Sequence, residues 1–219
     1  MENIISFLNE SSGLVLEKIW EHLYISFIAV LLGALLAIPL AIVLTRMPKT
    51  AKVVLGVAGV LQTIPSLAML AFFIPVLGLG TVPAISALFL YSILPILQNT
   101  YTGISEVNSN LVQAGRGMGM TTWELVRDVE IPLAMPTVMA GVRVATVYII
   151  GWATLASFIG AGGLGDLIFT GLDLYRTELV VAGAIPATAI ALIADFLLSR
   201  LERRATPIGL RKMKQTAAS

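Results

Sequence analysis

The one nucleotide-like pattern in this chain is a false lead. Gly160-Ala161-Gly162-Gly163-Leu164-Gly165 satisfies Gly-x-Gly-x-x-Gly. That fingerprint cradles a pyrophosphate only between a parallel strand and a crossover helix, and here it follows a long apolar stretch. The dinucleotide reading is rejected. What remains for Gly160, Gly162, Gly163 and Gly165 is either a flexible turn or a gate at which another protein docks. No Gly-x-x-x-x-Gly-Lys-Ser/Thr loop occurs, so any use of ATP belongs to another chain. With no cysteine and one histidine there is no thiolate or zinc chemistry. The apolar stretches hold no cluster of His, Asp or Glu for acid, base or metal work.

A second kind of chemistry, recognition by another protein, is suggested by Gln113-Ala114-Gly115-Arg116-Gly117-Met118-Gly119 and by Val129-Glu130-Ile131-Pro132 ten residues on. Small side chains leave a surface into which a partner can press. Ser109 or Asn110 can cap a short helix, and Gly119 can close it in the left-handed conformation that glycine reaches at least cost. Thr121-Thr122-Trp123-Glu124 has capping-box spacing, so a second helix is expected to run from there to Glu130, before Pro132.

These segments are positioned by apolar spans. Hydrophobic residues make up 57% of 219 positions, charged residues 12%, and the mean hydropathy is +0.91, so the chain is an all-α integral membrane protein. Residues 1–22 are polar enough to stay outside the bilayer as an amphipathic surface helix, without the features of a signal peptide. Leu23 to Thr45 carries no charge over 23 residues, enough to cross a core of about 30 Å. Further spans are expected near 53–77, 82–99, 133–159 and 179–198, making five within residues 23–200. The loop 106–132 lies between the third and fourth, and a basic tail occupies 201–219.

Lys and Arg counts orient the chain, because basic residues are retained on the cytoplasmic side. With the N-terminus outside and the C-terminus cytoplasmic, the inner segments hold eleven and the outer segments only Lys18 and Arg176. The loop 106–132 then faces the compartment that contains ATP.

Inside the spans, Pro39, Pro65, Pro75, Pro95, Pro136 and Pro186 each remove a helical hydrogen bond. Such breaks are tolerated where neighbouring helices or a water-lined cavity satisfy the freed groups. Gln62, Thr63, Pro65 and Ser66 combine a break with polar side chains near mid-bilayer. They are candidates for lining a pathway, or for hydrogen bonding between helices. Arg143 and Asp195 stand alone in apolar surroundings, where charges pair, and arginine's long side chain can bridge a depth difference of roughly 10 Å. A structural ion pair is expected.

The loop resembles that of the permease subunits of bacterial ABC importers, which carry Glu-Ala-Ala, three residues, Gly, nine residues, then Ile-x-Leu-Pro. This chain has Gln113, Ala114 and Gly115 in the first places, Gly119 in its place, and Val129 to Pro132 at the end. It departs from the pattern at Gln113, where a neutral hydrogen bond replaces an ionic contact. Three longer stretches are similar to the osmoprotectant importers for glycine betaine, carnitine and choline. They are Val60 to Ala68, Ala87 to Gly103, and Gly151 to Gly165.

The resemblance implies a type I ABC importer permease fold in the bacterial plasma membrane. Gln113 to Met118 would be a coupling helix seated on an ATPase subunit, with Gly119 and Pro132 framing it. ATP and magnesium would reside on the partner ATPases, with no cofactor or metal on this chain. The implied partners are a second permease copy or a paralogue, two ATPases, an external substrate-binding protein and the lipid bilayer; no nucleic acid is implied. Some relatives fuse the binding protein to the permease, and this chain is too short for that. Quaternary ammonium solutes are held by aromatic faces, which Tyr91, Tyr148 and Trp152 offer along a pathway, unless those rings only pack helices together. An importer for an amino acid such as methionine, a bile-acid exporter and a passive channel are the alternatives.

Overall fold

Long apolar stretches satisfy their backbone groups in hydrocarbon by coiling into helices, because no water is present to do it. A computed structural model describes residues 12–206, and all the elements it describes are helical. They are α1 (Ser12–Leu44), α2 (Pro48–Thr63), α3 (Ser66–Leu77), α4 (Thr81–Ser105), α5 (Ser109–Gly117), the single turn α6 (Thr122–Glu124), α7 (Ile131–Ala153), α8 (Leu164–Asp173) and α9 (Thr177–Ala205). A π-turn, Leu125–Glu130, carries α6 into α7, and a 3-10 turn, Thr154–Ile159, follows α7. Among the described residues, α1, α4, the run 122–159 and α9 are each long and apolar enough to cross a membrane. α2 and α3 make a fifth crossing if taken together.

The bundle is built around α4. Its buried stripe includes Ala84, Ala87, Leu88, Tyr91, Ile96 and Leu97, and α1 and α7 pack on either side. In lipid, helices gain little from hiding apolar surface from one another, so association depends on close packing of small residues. α1 contributes Ala29, Ala37 and Ala41, all fully buried. At Gly33 an added Cβ would stand 1.9 Å from the Ser92 hydroxyl oxygen. At Gly141 it would stand 2.6 Å from Asn99 Cβ and 2.9 Å from the Pro95 carbonyl oxygen.

Four boundaries differ from those expected. Residues 1 to 11 of the expected external segment 1–22 lie outside the described residues. From Ser12 the chain is already helical and continues without a break through α1. Two of its charges, Lys18 and Glu21, are matched within the fold. Lys18 Nζ donates to Glu21 Oε2 at 2.9 Å and to Asp166 Oδ2 at 2.8 Å, and Glu21 accepts the Gly163 N–H at 2.7 Å.

The expected span 53–77, with its break at Pro65, is resolved into α2 and α3, bent by 97°. Pro65 has no N–H to give and drives Ile64 into an extended conformation, with ψ 130. The carbonyl of Ile64 accepts the Tyr91 hydroxyl.

The helix expected to stop at Glu130 does not stop. Pro132 falls in the first turn of α7, and the π-turn before it lets Ile131 N–H reach back to Val126. α9 likewise passes the expected boundary at residue 200 and ends at Ala205.

The α4–α7 seam gives a direct test. Gly141→Val forces the two helices apart, at a cost of about 1–3 kcal/mol for overpacking, and should lower the melting temperature of the solubilised protein. Gly56→Ala, where nothing lies within 4 Å of an added Cβ, should leave it unchanged or slightly higher. Equal melting temperatures for the Gly141 variant and the parent would contradict this packing.

Candidate functional site

The loop between α4 and α7 is a folded unit. Asn108 caps α5, its Oδ1 accepting the Asn110 N–H at 2.9 Å. The cap is therefore one residue before Ser109 and two before Asn110, the two suggested by sequence. At the other end Gly119 N–H bonds to Arg116 O at 3.0 Å and Met120 N–H to Gly115 O at 3.1 Å. This double closure places Gly119 at φ 84, which a β-branched residue adopts only under strain. A full capping box starts α6. Thr121 N–H donates to Glu124 Oε2 at 2.6 Å and Glu124 N–H to Thr121 Oγ1 at 3.3 Å. The Thr121 backbone N–H holds the exposed Glu124 carboxyl below its usual range.

The seven residues of the small-residue segment divide into two faces. Gly115 is buried, and a Cβ there would meet Leu125 Cδ2 at 2.6 Å and Met120 Sδ at 3.0 Å. It serves the seam between α5 and the π-turn. Gln113, Ala114, Arg116, Gly117 and Met118 are exposed, Met118 by 78%. Met118 and the two small residues beside it thus share the outward face of α5.

Beneath this surface lies an ion pair that sequence reasoning missed. Glu130, in the π-turn, is buried and accepts from the guanidinium of Arg46, two residues past the end of α1. The pair ties the loop to the first span and lines a cavity of about 330 Å³ together with Gln113, Arg116 and Ser105. The sequence carries no local signal for it, since Glu130 follows Asp128 by two residues and Arg46 lies 84 positions earlier. Pro132 sits in the first turn of α7, next to Glu130.

The pathway candidates gather at the bend between α2 and α3. Thr63 and Pro65 are exposed, Gln62 and Ser66 half-buried. The Thr63 hydroxyl turns back to Val60 O at 2.7 Å. Tyr91 is buried beneath the bend and stacks edge-on to Trp152, with centroids 4.6 Å apart. Trp152 lies 5.9 Å from Tyr148. The three rings thus form one chain from the bend to the exposed face of α7.

Arg143 and Asp195 meet in a two-pronged pair, Nε to Oδ1 at 2.5 Å and Nη2 to Oδ2 at 3.0 Å. Arg143 Nη1 also lies 3.6 Å from Glu202.

The glycine segment is not a loose turn. Gly162, Gly163 and Gly165 are buried, and only Gly160 is exposed. Gly162 and Gly163, at φ 82 and φ 83, pack on Glu21 and His22 of α1. His22 is itself buried, with Nε2 3.0 Å from the Ile150 carbonyl oxygen.

The described helices are thus those of a multi-pass membrane protein that holds out a small-residue loop. The chain belongs to the family described as binding-protein-dependent transport system inner membrane component, which it matches across residues 21–207. It is 58% identical over 217 residues to a glycine betaine/carnitine/choline transport system permease protein of Bacillus subtilis (strain 168), covering 99% of this chain and 100% of that one. It is 54% identical over 215 residues to a carnitine transport permease protein of Listeria monocytogenes, covering 98% and 99%. A chain of the MetNI methionine ABC transporter, in an inward-facing conformation, superposes with a TM-score of 0.82 at 22% identity over 90% of this chain and 98% of that one. A chain of an amino acid ABC transporter crystallised with histidines gives 0.74 at 22%, covering 90% and 96%. The fold is that of a type I ABC importer permease, a multi-pass subunit of the bacterial cell membrane. Such subunits work with ATPase and substrate-binding partners.

The ion pair under the loop gives the next test. Removing one member of a fully buried pair costs about 3 kcal/mol, mostly through the charge left alone, and the cost here is smaller because Arg46 is 37% exposed. Arg46→Ala, which strands the buried carboxylate, should speed amide hydrogen exchange across residues 109–130 more than Glu130→Ala does. The exchanged pair, Arg46→Glu with Glu130→Arg, should recover part of the protection. Unchanged exchange in both single variants would show that the pair does not hold the loop.

Proposed function

We propose that this chain is the permease of an ATP-driven importer for quaternary ammonium osmoprotectants such as glycine betaine, carnitine and choline. The observation that carries the solute class is similarity along the whole length to permeases that bear those names, at 58% and 54% identity. The neighbours with methionine and amino acid transporters share the fold at 22% identity and say nothing of the solute.

In this reading the loop 106–132 faces the cytoplasm and the N-terminus lies outside, as the distribution of Lys and Arg requires. The exposed face of α5 seats in a cleft on an ATPase, and two such ATPases serve two permeases, either copies or paralogues. ATP and magnesium stay on those subunits. Closure of the ATPases moves α5 as a rigid lever, because Gly115 and Leu125 lock it to the π-turn and hence to α7. An external binding protein supplies solute at the opposite end, near Gly160. The solute passes the bend at Gln62 to Ser66 and the rings of Tyr91, Trp152 and Tyr148, whose faces suit a cation without N–H groups.

Two measurements bear on this. The chain has no cysteine, so a single cysteine introduced at Gly117 reports the side of the loop. It should resist membrane-impermeant thiol labelling of intact cells and react in inverted vesicles; labelling from outside would remove the coupling role.

Gly119→Val places a β-branched side chain at φ 84, a strain of about 1–2 kcal/mol. Transport and solute-stimulated ATP hydrolysis should fall together by about tenfold while membrane insertion stays normal, as read in proteoliposomes carrying the whole complex. Normal coupled turnover would rule out the lever.

A further inference from the structure

The corner between α8 and α9 is strained by a residue that makes no use of the strain inside the chain. Arg176 N–H bonds to Gly171 O at 2.8 Å and Tyr175 N–H to Leu172 O at 3.3 Å. This double closure of a helix end puts the residue at position 175 in the left-handed region, where glycine is the usual occupant. Tyr175 stands there instead, at φ 56, and among the described residues it alone combines a side chain with a positive φ. Such strain persists where contacts of the side chain offset it. Tyr175 is 95% exposed, and its neighbours Leu172 and Leu174 are 54% and 59% exposed. The corner is also held in this shape. At Gly171 an added Cβ would stand 2.7 Å from the Val180 backbone nitrogen, so α8 and the first turn of α9 are in close contact.

We propose that this corner is a docking surface for the external solute-binding protein, with Tyr175 as the side chain that enters it. The role rests on the orientation and the partner proposed above. A tyrosine offers a large contact area with few rotamers to freeze, which suits it to anchor an interface. The rim of the corner decides the kind of partner. Over residues 166–178 three acids, Asp166, Asp173 and Glu178, stand against one base, Arg176, a net charge of −2. An anionic membrane surface attracts basic rims, whereas an acidic one fits a protein face that sets Lys or Arg around an apolar pocket. From the corner, α8 leads back to the glycine segment. Asp166 in its first turn holds Lys18, and Phe169 packs on Phe158 with ring centroids 4.3 Å apart.

The test uses the permease assembled with its ATPase subunits in lipid nanodiscs and the purified solute-binding protein of the same system, with docking followed by biolayer interferometry. Tyr175→Ala should weaken docking about thirtyfold, the loss expected of an interface anchor, and Tyr175→Phe should keep most of it. Tyr175→Gly should weaken docking as Tyr175→Ala does and yet raise the melting temperature by about 2 °C, because glycine relieves the strain. A ring that served only to stabilise the fold would not give these two changes together.

Docking of the Tyr175→Ala complex at the parental affinity would overturn the surface. A spin label on Tyr175→Cys, the single cysteine of that variant, should collide with a water-soluble nickel chelate and lose this access when the binding protein is added. Collision with lipid-dissolved oxygen instead would assign the corner to the bilayer and also overturn it. If the binding protein does not dock on the unsubstituted complex, the external-partner reading itself fails. If it docks equally there and on the Tyr175→Ala complex, only the corner fails.

Discussion

In hydrocarbon, a backbone group without a partner has no water to fall back on, and this constraint governs every irregular point of the structure. Three of the places where the described chain departs from regular α-helix show how the departure is met. At Ile64–Pro65 the freed carbonyl takes the Tyr91 hydroxyl. At Gly163 the backbone N–H takes the Glu21 carboxylate. Between Glu124 and Ile131 the hydrogen bonds are kept but lengthened by one residue into a π-turn. None of these remedies comes from the residue that causes the break. Each depends on a helix elsewhere in the chain or on a change of helical pitch, so the irregular points also fix how the helices sit against one another.

The same economy explains the small residues. Gly33, Gly103 and Gly141 let α1 and α7 lie close against α4, and in each case an added Cβ would collide with a side chain or a carbonyl. Gly115 does this work in the loop. Of the residues in the small-residue segment, it is the one turned inward, so the exposed face of α5 is rigidly backed by the π-turn. That packing joins α5 to the π-turn, and through it to α7.

Much of this was legible beforehand. Uncharged runs of twenty or so residues specified the helices, the Thr121 to Glu124 spacing specified a capping box, and Gly119 specified a left-handed closure, because each depends on local chemistry alone. What was not legible depends on contacts between distant residues. Nothing around Glu130 indicates that Arg46, 84 positions earlier, will neutralise it. The charges of Lys18 and Glu21 suggested a segment outside the bilayer, and only their pairing with Asp166 and Gly163 shows how a helix can keep them. Local sequence did locate the proline at residue 65, but the 97° bend it permits depends on Tyr91 lying beneath it. The glycine segment was misleading for a related reason. Glycine signals conformational freedom, yet here it is used for closeness, with Gly162 and Gly163 pressed on Glu21 and His22.

That closeness has a mechanical outcome. Because Lys18, Glu21 and His22 hold on to Asp166, Gly163 and Ile150 respectively, the first turns of α1 are fastened to the start of α8 and to the far part of α7. A force applied to the glycine segment cannot be spent on flexing it. It is handed to α1 along its axis, and α1 ends at Leu44, 22 residues beyond His22, beside Arg46 and the loop. The two ends of the protein are therefore joined by a single stiff rod.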